Sequence, residues 1–543
     1  MRRVQTSIVS ALLLVTAAGA VADPVFVNGL RFRGDRVDAT GGPGPNEGRL
    51  GFFSDLYYDP VREDWWALSD RGPGGGVLDY STRVQKISLD VDSWSGRISG
   101  FKVLKTIQFT DPHRLLSRPT ADVQRRRALN GQNPFLLNDD ASALGRSFDP
   151  EGFVIDPRSG HFLVADEYGP SLFEFDRKGR LLFVFETPAN LVPRVNTVVG
   201  GVVVESVVNY VALRDACSAT LLPPSCGLND GRQDNRGFEG LAVTPDGRKL
   251  YAVMQDPLVD EPTPNSNNGR NGRNLRIVVF DNDHRSSTFG KSIAQYAYPL
   301  EKQADVLARI LAAGGTGSAT DPRQGRNLGL SAIVALNDHE FLVLERDNRG
   351  IGVDNPQGKT GATGVTGSKR VFKIDVTGAT DVSALDLPLG DLPATIVPVT
   401  KQALPFIDLA ANTLLPNGEQ AEKWEGLTIG PRLKFGQYSI VAGNDNDYSV
   451  TQLGGSLTQY ETYVDFAGHY ARCPLGAQTG CEIDGDGVDT GDFSQPLPAG
   501  HVLLPGVLHA YRASASDLAG YVPPRARRHG DHDCDHDRPH KGR

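Results

Sequence analysis

Short apolar runs bounded by turn-forming residues recur along the chain, and few stretches carry the spacing of an amphipathic helix. The segment from Gly240 to Asp256 shows the pattern. Leu241-Ala242-Val243 is strand-like, Pro245-Asp246-Gly247 is a turn, and Leu250-Tyr251-Ala252-Val253 is a second strand ending at Gln255-Asp256. Equivalent second strands are centred on Trp65-Trp66-Ala67-Leu68, Phe162-Leu163-Val164-Ala165, Phe341-Leu342-Val343-Leu344 and Ser439-Ile440-Val441-Ala442. Alternating segments follow them, among them Val84 to Leu89, Leu172 to Phe175, Leu275 to Phe280 and Arg370 to Ile374, and these supply outer strands. Gln303 to Ala312 is the single good helical candidate.

Aligned on their first strands, the units begin at Ser54, Glu151, Glu239, Leu330 and Glu425, spaced by 97, 88, 91 and 95 residues. So regular a period marks a repeat architecture. Four antiparallel strands per unit, apolar inside and alternating outside, make the blade of a propeller. The expected fold class is therefore an all-β β-propeller of four-stranded blades, with five units visible and five or six blades in all. The period exceeds the roughly 40–45 residues of a usual blade, which implies inserted loops; polar, Gly-, Pro- and Arg-rich stretches at Asp111 to Arg146, Glu261 to Asn274 and Asn348 to Ser368 fit that role. Leu181 to Leu213, with its Val202 to Val208 run, is where a sixth blade would fit. Val25 to Phe32 is expected to close the ring against His501 to Arg512, since circular folds hide their sheet edges.

Composition agrees, with 61 Gly and 35 Pro against 2 Met. Basic side chains number 56 and acidic ones 65, and a net charge of −9 argues against a nucleic-acid partner. Arg2 and Arg3, an apolar run from Ile8 to Ala18 and the small-residue site Ala20-Val21-Ala22 read as a secretory signal peptide over residues 1–22, cleaved after Ala22, which sends the protein to the periplasm or the exterior. No later stretch approaches the roughly 20 apolar residues of a membrane span. The propeller is expected over 23–512, followed by a disordered tail, 513–543, whose His529 to Asp537 segment has the composition of a metal scavenger or of a plain charged tail. Cys217 with Cys226 and Cys473 with Cys481 are spaced for local disulfides and Cys534 is left over; zinc is the alternative use of the cysteines, without a C-x-x-C knuckle to favour it.

Acidic residues recur at two positions in the units. Glu151, Glu239 and Glu425 stand at the entry to first strands, and Asp70-Arg71, Asp166-Glu167, Gln255-Asp256, Glu345-Arg346-Asp347 and Asn444-Asp445 at the exit from second strands, with Asp149 just before Glu151. If both strands line the axis, these carboxylates meet at one mouth, where mutual repulsion calls for cations. Hard oxygen donors suit calcium, and Arg71, Arg236, Arg346 and Arg349 suit a phosphate or carboxylate group. The other reading of such residues is structural, as turn caps and ties between blades. Asp484, Asp486 and Asp489 form a second calcium candidate, although Val488 and Gln495 depart from the EF-hand pattern and an ordinary Asp/Gly turn explains the segment equally well. His161 and His339 fall at turns, where surface histidine is the expected role. No G-x-S-x-G elbow or H-E-x-x-H motif is present.

The segments Phe148-Asp149-Pro150-Glu151-Gly152, Asp166-Glu167, Phe238-Glu239-Gly240-Leu241-Ala242, Glu345-Arg346-Asp347 and Trp424-Glu425-Gly426-Leu427 resemble those of the phytase-like family, also called the esterase-like activity of phytase family, over about Gly48 to Asp447. The resemblance implies a secreted propeller hydrolysing phosphate or other small-molecule esters. It brings no defined catalytic constellation. The expected catalytic residues are Glu151, Glu239, Glu425, Arg71 and Arg346, with calcium-activated water as the nucleophile. Asp70, Asp149, Asp166, Glu167, Glu345, Asp347 and Asp445 are the expected metal ligands. A non-catalytic propeller that binds a carbohydrate, an envelope component or a protein through the same mouth is the alternative. A lactonase or sugar-dehydrogenase-like propeller would share an acidic metal mouth, but no cofactor motif supports one.

Overall fold

Burial explains the difference between inner and outer strands. Pro150–Ile155 and Phe238–Val243 are buried at every position, whereas the outer strand Ile98–Gln108 mixes buried and exposed residues. The computed structural model describes residues 24–525 except 42–45, 117–127, 139, 141, 201, 212–227, 263–267, 313–327, 354–367, 413–419, 453–456 and 485–490. The signal segment, Cys217, Cys226, Cys534, Asp486, Asp489 and the His529 to Asp537 tail lie outside the described residues.

Each repeat unit is an antiparallel sheet. The first contains Asp55–Asp59, Asp64–Leu68, Arg83–Val91 and Ile98–Gln108, in sequence order from inside to outside. The second contains Pro150–Ile155, Phe162–Asp166, Ser171–Phe175 and Leu181–Val184, and the third Phe238–Val243, Lys249–Met254, Asn274–Asp281 and Ser292–Pro299. The fourth runs from Leu328–Ala335 through Glu340–Asp347 to Lys369–Asp375, with Thr400–Lys401 and Ile407–Asp408 sharing its outer edge. A closing sheet orders Lys423–Arg432, Gln437–Asp445, Gly506–Ser514 and Val25–Phe32. Its outermost strand comes from the start of the described chain, with Gly29 opposite His509.

The inner strands adjoin in a cycle. Asp55–Asp59 lies against Pro150–Ile155 and Lys423–Arg432, Phe238–Val243 against Pro150–Ile155 and Leu328–Ala335, and Leu328–Ala335 against Lys423–Arg432. The architecture is all-β and propeller-like. Apolar clusters fill the wedges between neighbouring sheets: Trp66, Phe153 and Phe162 between the first and second, Tyr251 and Phe341 between the third and fourth, Leu344 and Trp424 between the fourth and the closing sheet. The helix Gln303–Ala312 forms where its pattern places it and buries Val306, Leu307 and Ile310.

Three parts of the chain differ from the sequence reading. Leu181–Val184 is the outer strand of the second sheet, and Arg194–Val199 pairs with Val202–Val208 as a separate hairpin, so this stretch does not build a sixth four-stranded unit. A further sheet appears instead within the closing unit, from Val450–Gln452, Gln459–Val464, Tyr470–Pro474, Glu482–Asp484 and Val502–Leu503. The expected disulfide joins its Cys473 and Cys481, and the buried pair Arg49 and Glu461 ties it to the first unit. Ordered chain also continues past Arg512: the last strand reaches Ser514, Val522 donates to the Leu336 carbonyl at 2.8 Å, and Tyr521 joins Asp55, Phe153, Leu241, Ile333 and Leu427, from the inner strands of all five units, in lining a cavity of about 40 Å³.

The glycine that follows each entry glutamate has a packing reason. A Cβ on Gly152 would sit 2.6 Å from the Leu241 nitrogen, and one on Gly240 2.9 Å from the Ala332 Cα, both in the backbone of the next inner strand. Gly240→Ala should therefore cost about 1–3 kcal/mol and lower the melting temperature, because neither backbone can retreat. Gly390→Ala, whose methyl meets nothing within 4 Å, should leave it unchanged within error. Thermal unfolding of both variants checks the pair.

Candidate functional site

The glutamates reach the mouth because the inner strands slip there. Pro150 pairs with Asp166 while Gly152 pairs with Ala165, Phe238 with Met254 while Gly240 pairs with Val253, and Trp424 with Asn444 while Gly426 pairs with Gly443. The residues passed over are Glu151, Glu239 and Glu425, each at a β-bulge, the device that re-aims a side chain out of the ladder. The fourth unit keeps the bulge but carries Ser331, whose hydroxyl donates to the Trp424 carbonyl at 2.7 Å and links two units.

Once brought together, these carboxyls perturb one another. Burial pushes the Glu151 pKa well up, and the charges of Glu239, Asp149, Glu425 and Asp70 add to it. Burial likewise raises Glu239, helped by Glu167 and Glu425 and opposed by Arg346 and Arg236. Both results follow from removing like charges from water at short range.

Cations from neighbouring units interleave with them. Arg71 of the first unit donates its backbone N–H to Asp149 Oδ1 at 3.0 Å and Nη1 to Asp149 Oδ2 at 2.9 Å, contacts Asn235, and lies 3.8 Å from Glu167. Burial opposes its charge, but Asp149, Tyr168, Glu167 and Asp70 together hold the guanidinium firmly protonated. Arg346 of the fourth unit bridges Glu425 at 2.6 Å and Glu239 at 3.7 Å. Gln255 donates to Glu239 and accepts from Arg236 at 2.8 Å, and Arg236 pairs with Asp256 at 2.9 Å. Glu151 differs from its neighbours: although only 7% exposed, it has no hydrogen-bond or ion-pair partner among the described residues.

Two overlapping groups could hold a metal. One oxygen from each of Asp70, Asp149 and Glu151 lies within 4.8 Å of the others, and the same holds for Asp70, Asp445 and Asp447. Lys423 already serves the second group, 2.6 Å from Asp447 and 3.4 Å from Asp445. The first group combines an all-oxygen donor set with the unpartnered Glu151, and that combination fits a hard divalent cation such as calcium.

Sequence reasoning missed Lys423, Asp447 and Asn235 as mouth residues, while Gln255 stands at the strand exit where it was expected. The repeated Asp in Asn444-Asp445-Asn446-Asp447 was the available signal for Asp447. That residue begins a turn in which Asp447, Tyr448 and Ser449 all have positive φ, at 47°, 55° and 61°. Left-handed backbone costs roughly 1–2 kcal/mol per non-glycine residue; here the Asp447 backbone N–H donates to Asp445 Oδ1 at 2.8 Å, and Tyr448 is fully buried against Tyr80.

Other candidates are engaged elsewhere. Asp166 accepts backbone N–H groups from Asp149, Tyr168 and Gly169, so it shapes the turn beneath the mouth. Glu345 accepts from the Tyr298 hydroxyl at 3.0 Å, Lys401 at 2.5 Å and the Glu301 N–H at 2.6 Å, on the side of its sheet away from the carboxylate groups. Asp347 pairs with buried Lys369 at 2.9 Å and caps the Ser368 N–H at 3.0 Å. Asp484 ends a strand of the additional sheet, far along the chain from these groups. His161 bonds to Glu174 at 2.6 Å, and His339 caps its own turn through Asn337.

Fold and site together define a propeller-like, all-β protein with an acidic mouth. The chain belongs to the phytase-like family, described as esterase-like activity of phytase, whose pattern matches residues 48–448. An uncharacterized secreted protein of Arthroderma benhamiae is 27% identical over 448 residues, covering 72% of this chain and 79% of that protein. Among solved structures, the Kuenenia stuttgartiensis hydrazine synthase aligns with 83% of this chain and 98% of its own at 12% identity, with a TM-score of 0.25, too low to inform fold or function. No helix among the described residues is long and apolar enough to cross a membrane.

The crowded carboxyls predict a pH dependence. Burial raises the Asp70 pKa to about 6 from an ordinary 3.8, against the pull of Arg71 and Lys423. A carboxyl that holds its proton more tightly when folded contributes stability below its unfolded pKa and loses that contribution as pH rises through the folded value. In chelator-treated protein the melting temperature should fall between about pH 4 and pH 7. Glu151→Gln should flatten the fall, and identical profiles for variant and wild type would contradict this electrostatic account.

Proposed function

We propose that this chain is a secreted hydrolase of phosphomonoesters or related esters, a five-bladed propeller working with calcium at its acidic mouth. Five sheets with inner strands adjoining in a cycle support the blade number. The observation that carries the reading is the buried, unpartnered carboxylate of Glu151 beside Asp70 and Asp149. With nothing there to pair with it, burial keeps that carboxyl protonated, and a cation held by the same three residues would let it ionise there.

Asp70, Asp149 and Glu151 would hold the calcium. When bound, the cation polarises the ester oxygen and lowers the pKa of water. Glu239, whose basicity burial raises, is the carboxylate placed to take the proton from the attacking water. Glu425 keeps Arg346 fixed against Glu239, and Arg71 or Arg346 stabilises the oxyanion through charged hydrogen bonds. Ion pairs that cross between units, such as Arg71 with Asp149 and Arg346 with Glu425, favour a second reading in which the mouth is a rigid binding surface and the cation is structural.

A panel of phosphate and carboxylate esters, assayed with calcium and with chelator, separates the two. The hydrolase reading expects turnover that chelation abolishes and that Glu151→Gln and Glu239→Gln each reduce by about a hundredfold or more. A calcium-dependent rise in melting temperature with no turnover of any ester would leave the binding module.

A further inference from the structure

The two mouth arginines differ in what their free nitrogens face. Arg346 gives Nη1 to Asn348 at 2.5 Å and Nη2 to Glu425 at 2.6 Å, which leaves only its buried Nε without an acceptor. Arg71 is nine-tenths buried, yet it uses Nη1 alone, on Asp149 and Asn235. Its Nε is buried without a partner, and its Nη2 has no acceptor among the described residues.

The chain after Arg71 is Gly72-Pro73-Gly74-Gly75-Gly76, and its glycines have φ of 99°, 81°, 59° and 86°. Three of them lack room for a side chain: a Cβ would lie 2.4 Å from the Tyr80 ring at Gly72, 2.4 Å from Gln459 Oε1 at Gly74 and 2.6 Å from the Tyr168 hydroxyl at Gly76. Gly75 is the exception, where a Cβ would meet only Arg71 Nη2, at 3.9 Å. The space over Gly75 is therefore open and faces the free side of the guanidinium. Gly74, Gly75 and Gly76 donate no backbone hydrogen bond among the described residues. Successive free N–H groups in a turn make an anion-binding concavity, and arginine adds a charged fork suited to phosphate.

We infer that the Gly74 to Gly76 turn and Arg71 form a receptor for the tetrahedral phosphoryl group of the substrate. This rests on the hydrolase reading above and narrows its substrate class to phosphate esters. Asp149 and Glu167 lie close to Arg71 and repel an anion. A cation held by Asp70, Asp149 and Glu151 offsets that repulsion, so calcium and phosphate bind with positive coupling.

Calorimetric titration of the full chain with inorganic phosphate, with and without calcium, tests the inference, with acetate as the planar control. Gly75→Asp sets a carboxylate over Nη2, in a residue type that tolerates left-handed backbone, and Gly75→Asn adds similar bulk without charge. Phosphate should bind at least about tenfold more tightly with calcium than without, and Gly75→Asp should weaken it by more than about tenfold, with a smaller loss in Gly75→Asn. Melting temperatures close to wild type and retained calcium binding show that the variants are folded. Equal phosphate affinity in wild type and Gly75→Asp, or acetate bound as tightly as phosphate, overturns the receptor. So does an absence of phosphate binding while calcium binds, an outcome that leaves the cation site standing. Gly75-dependent phosphate binding without any calcium binding upholds the receptor and overturns the catalytic reading.

Discussion

The structure turns on one constraint: many carboxylates, drawn from every part of the repeat, share a space from which most water has been removed. Charges so placed must find cations or keep their protons. The protein uses both solutions. Arg71, Arg346, Arg236 and Lys423 reach across or within units to carboxylates beside them, while Asp70, Asp149, Glu151, Glu239 and Asp445 are shifted towards the protonated form, mainly by burial. Because several of these pairs join different sheets, the electrostatics of the mouth and the integrity of the ring are one problem. A substitution that disturbs one disturbs the other, which is why Glu151→Gln, at a group with no hydrogen-bond or ion-pair partner among the described residues, is more informative than Glu425→Gln.

Much of this was legible in the chain because the repeat is strict where packing is strict. Glu-Gly recurs at 151–152, 239–240 and 425–426 because a bulge turns each glutamate out of the ladder, and at Gly152 and Gly240 the backbone of the next inner strand excludes a side chain, while Gly426 packs against the Leu56 side chain. Period-two patterning and turn residues located the strands. The pairing of Val25–Phe32 with the last strand followed from the need to hide an edge.

What could not be read was which way each acidic side chain points. Asp166, Glu345 and Asp347 share the spacing of the mouth residues, yet their oxygens are taken up by local N–H groups or by Lys401 and Lys369. Strand-exit position alone does not separate them from Asp70 or Asp445. The hairpin at 194–208 has a strand-like sequence but pairs with no further strand among the described residues, whereas the sheet between Val450 and Leu503 was hidden because its short strands fall between two members of one repeat. Asp447 was overlooked for a different reason: its repeat after Asp445 is visible in the chain, but the left-handed turn of three non-glycine residues that it begins is not.

The closing sheet has a consequence for the order of assembly. Its outermost strand, Val25–Phe32, is made first, and its partner, Gly506–Ser514, is among the last of the described segments to be made. The inner members of that sheet, which bring Glu425 and Asp445 to the mouth, gain their flanking strand only when the late segment docks. Until Gly506–Ser514 is made the closing sheet is incomplete, and Glu425 and Asp445 lack the strand that flanks theirs, while Asp70, Asp149, Glu151 and Glu239 belong to units already made. A chain truncated shortly before Gly506 would lose the seam of the ring while keeping every residue of the mouth.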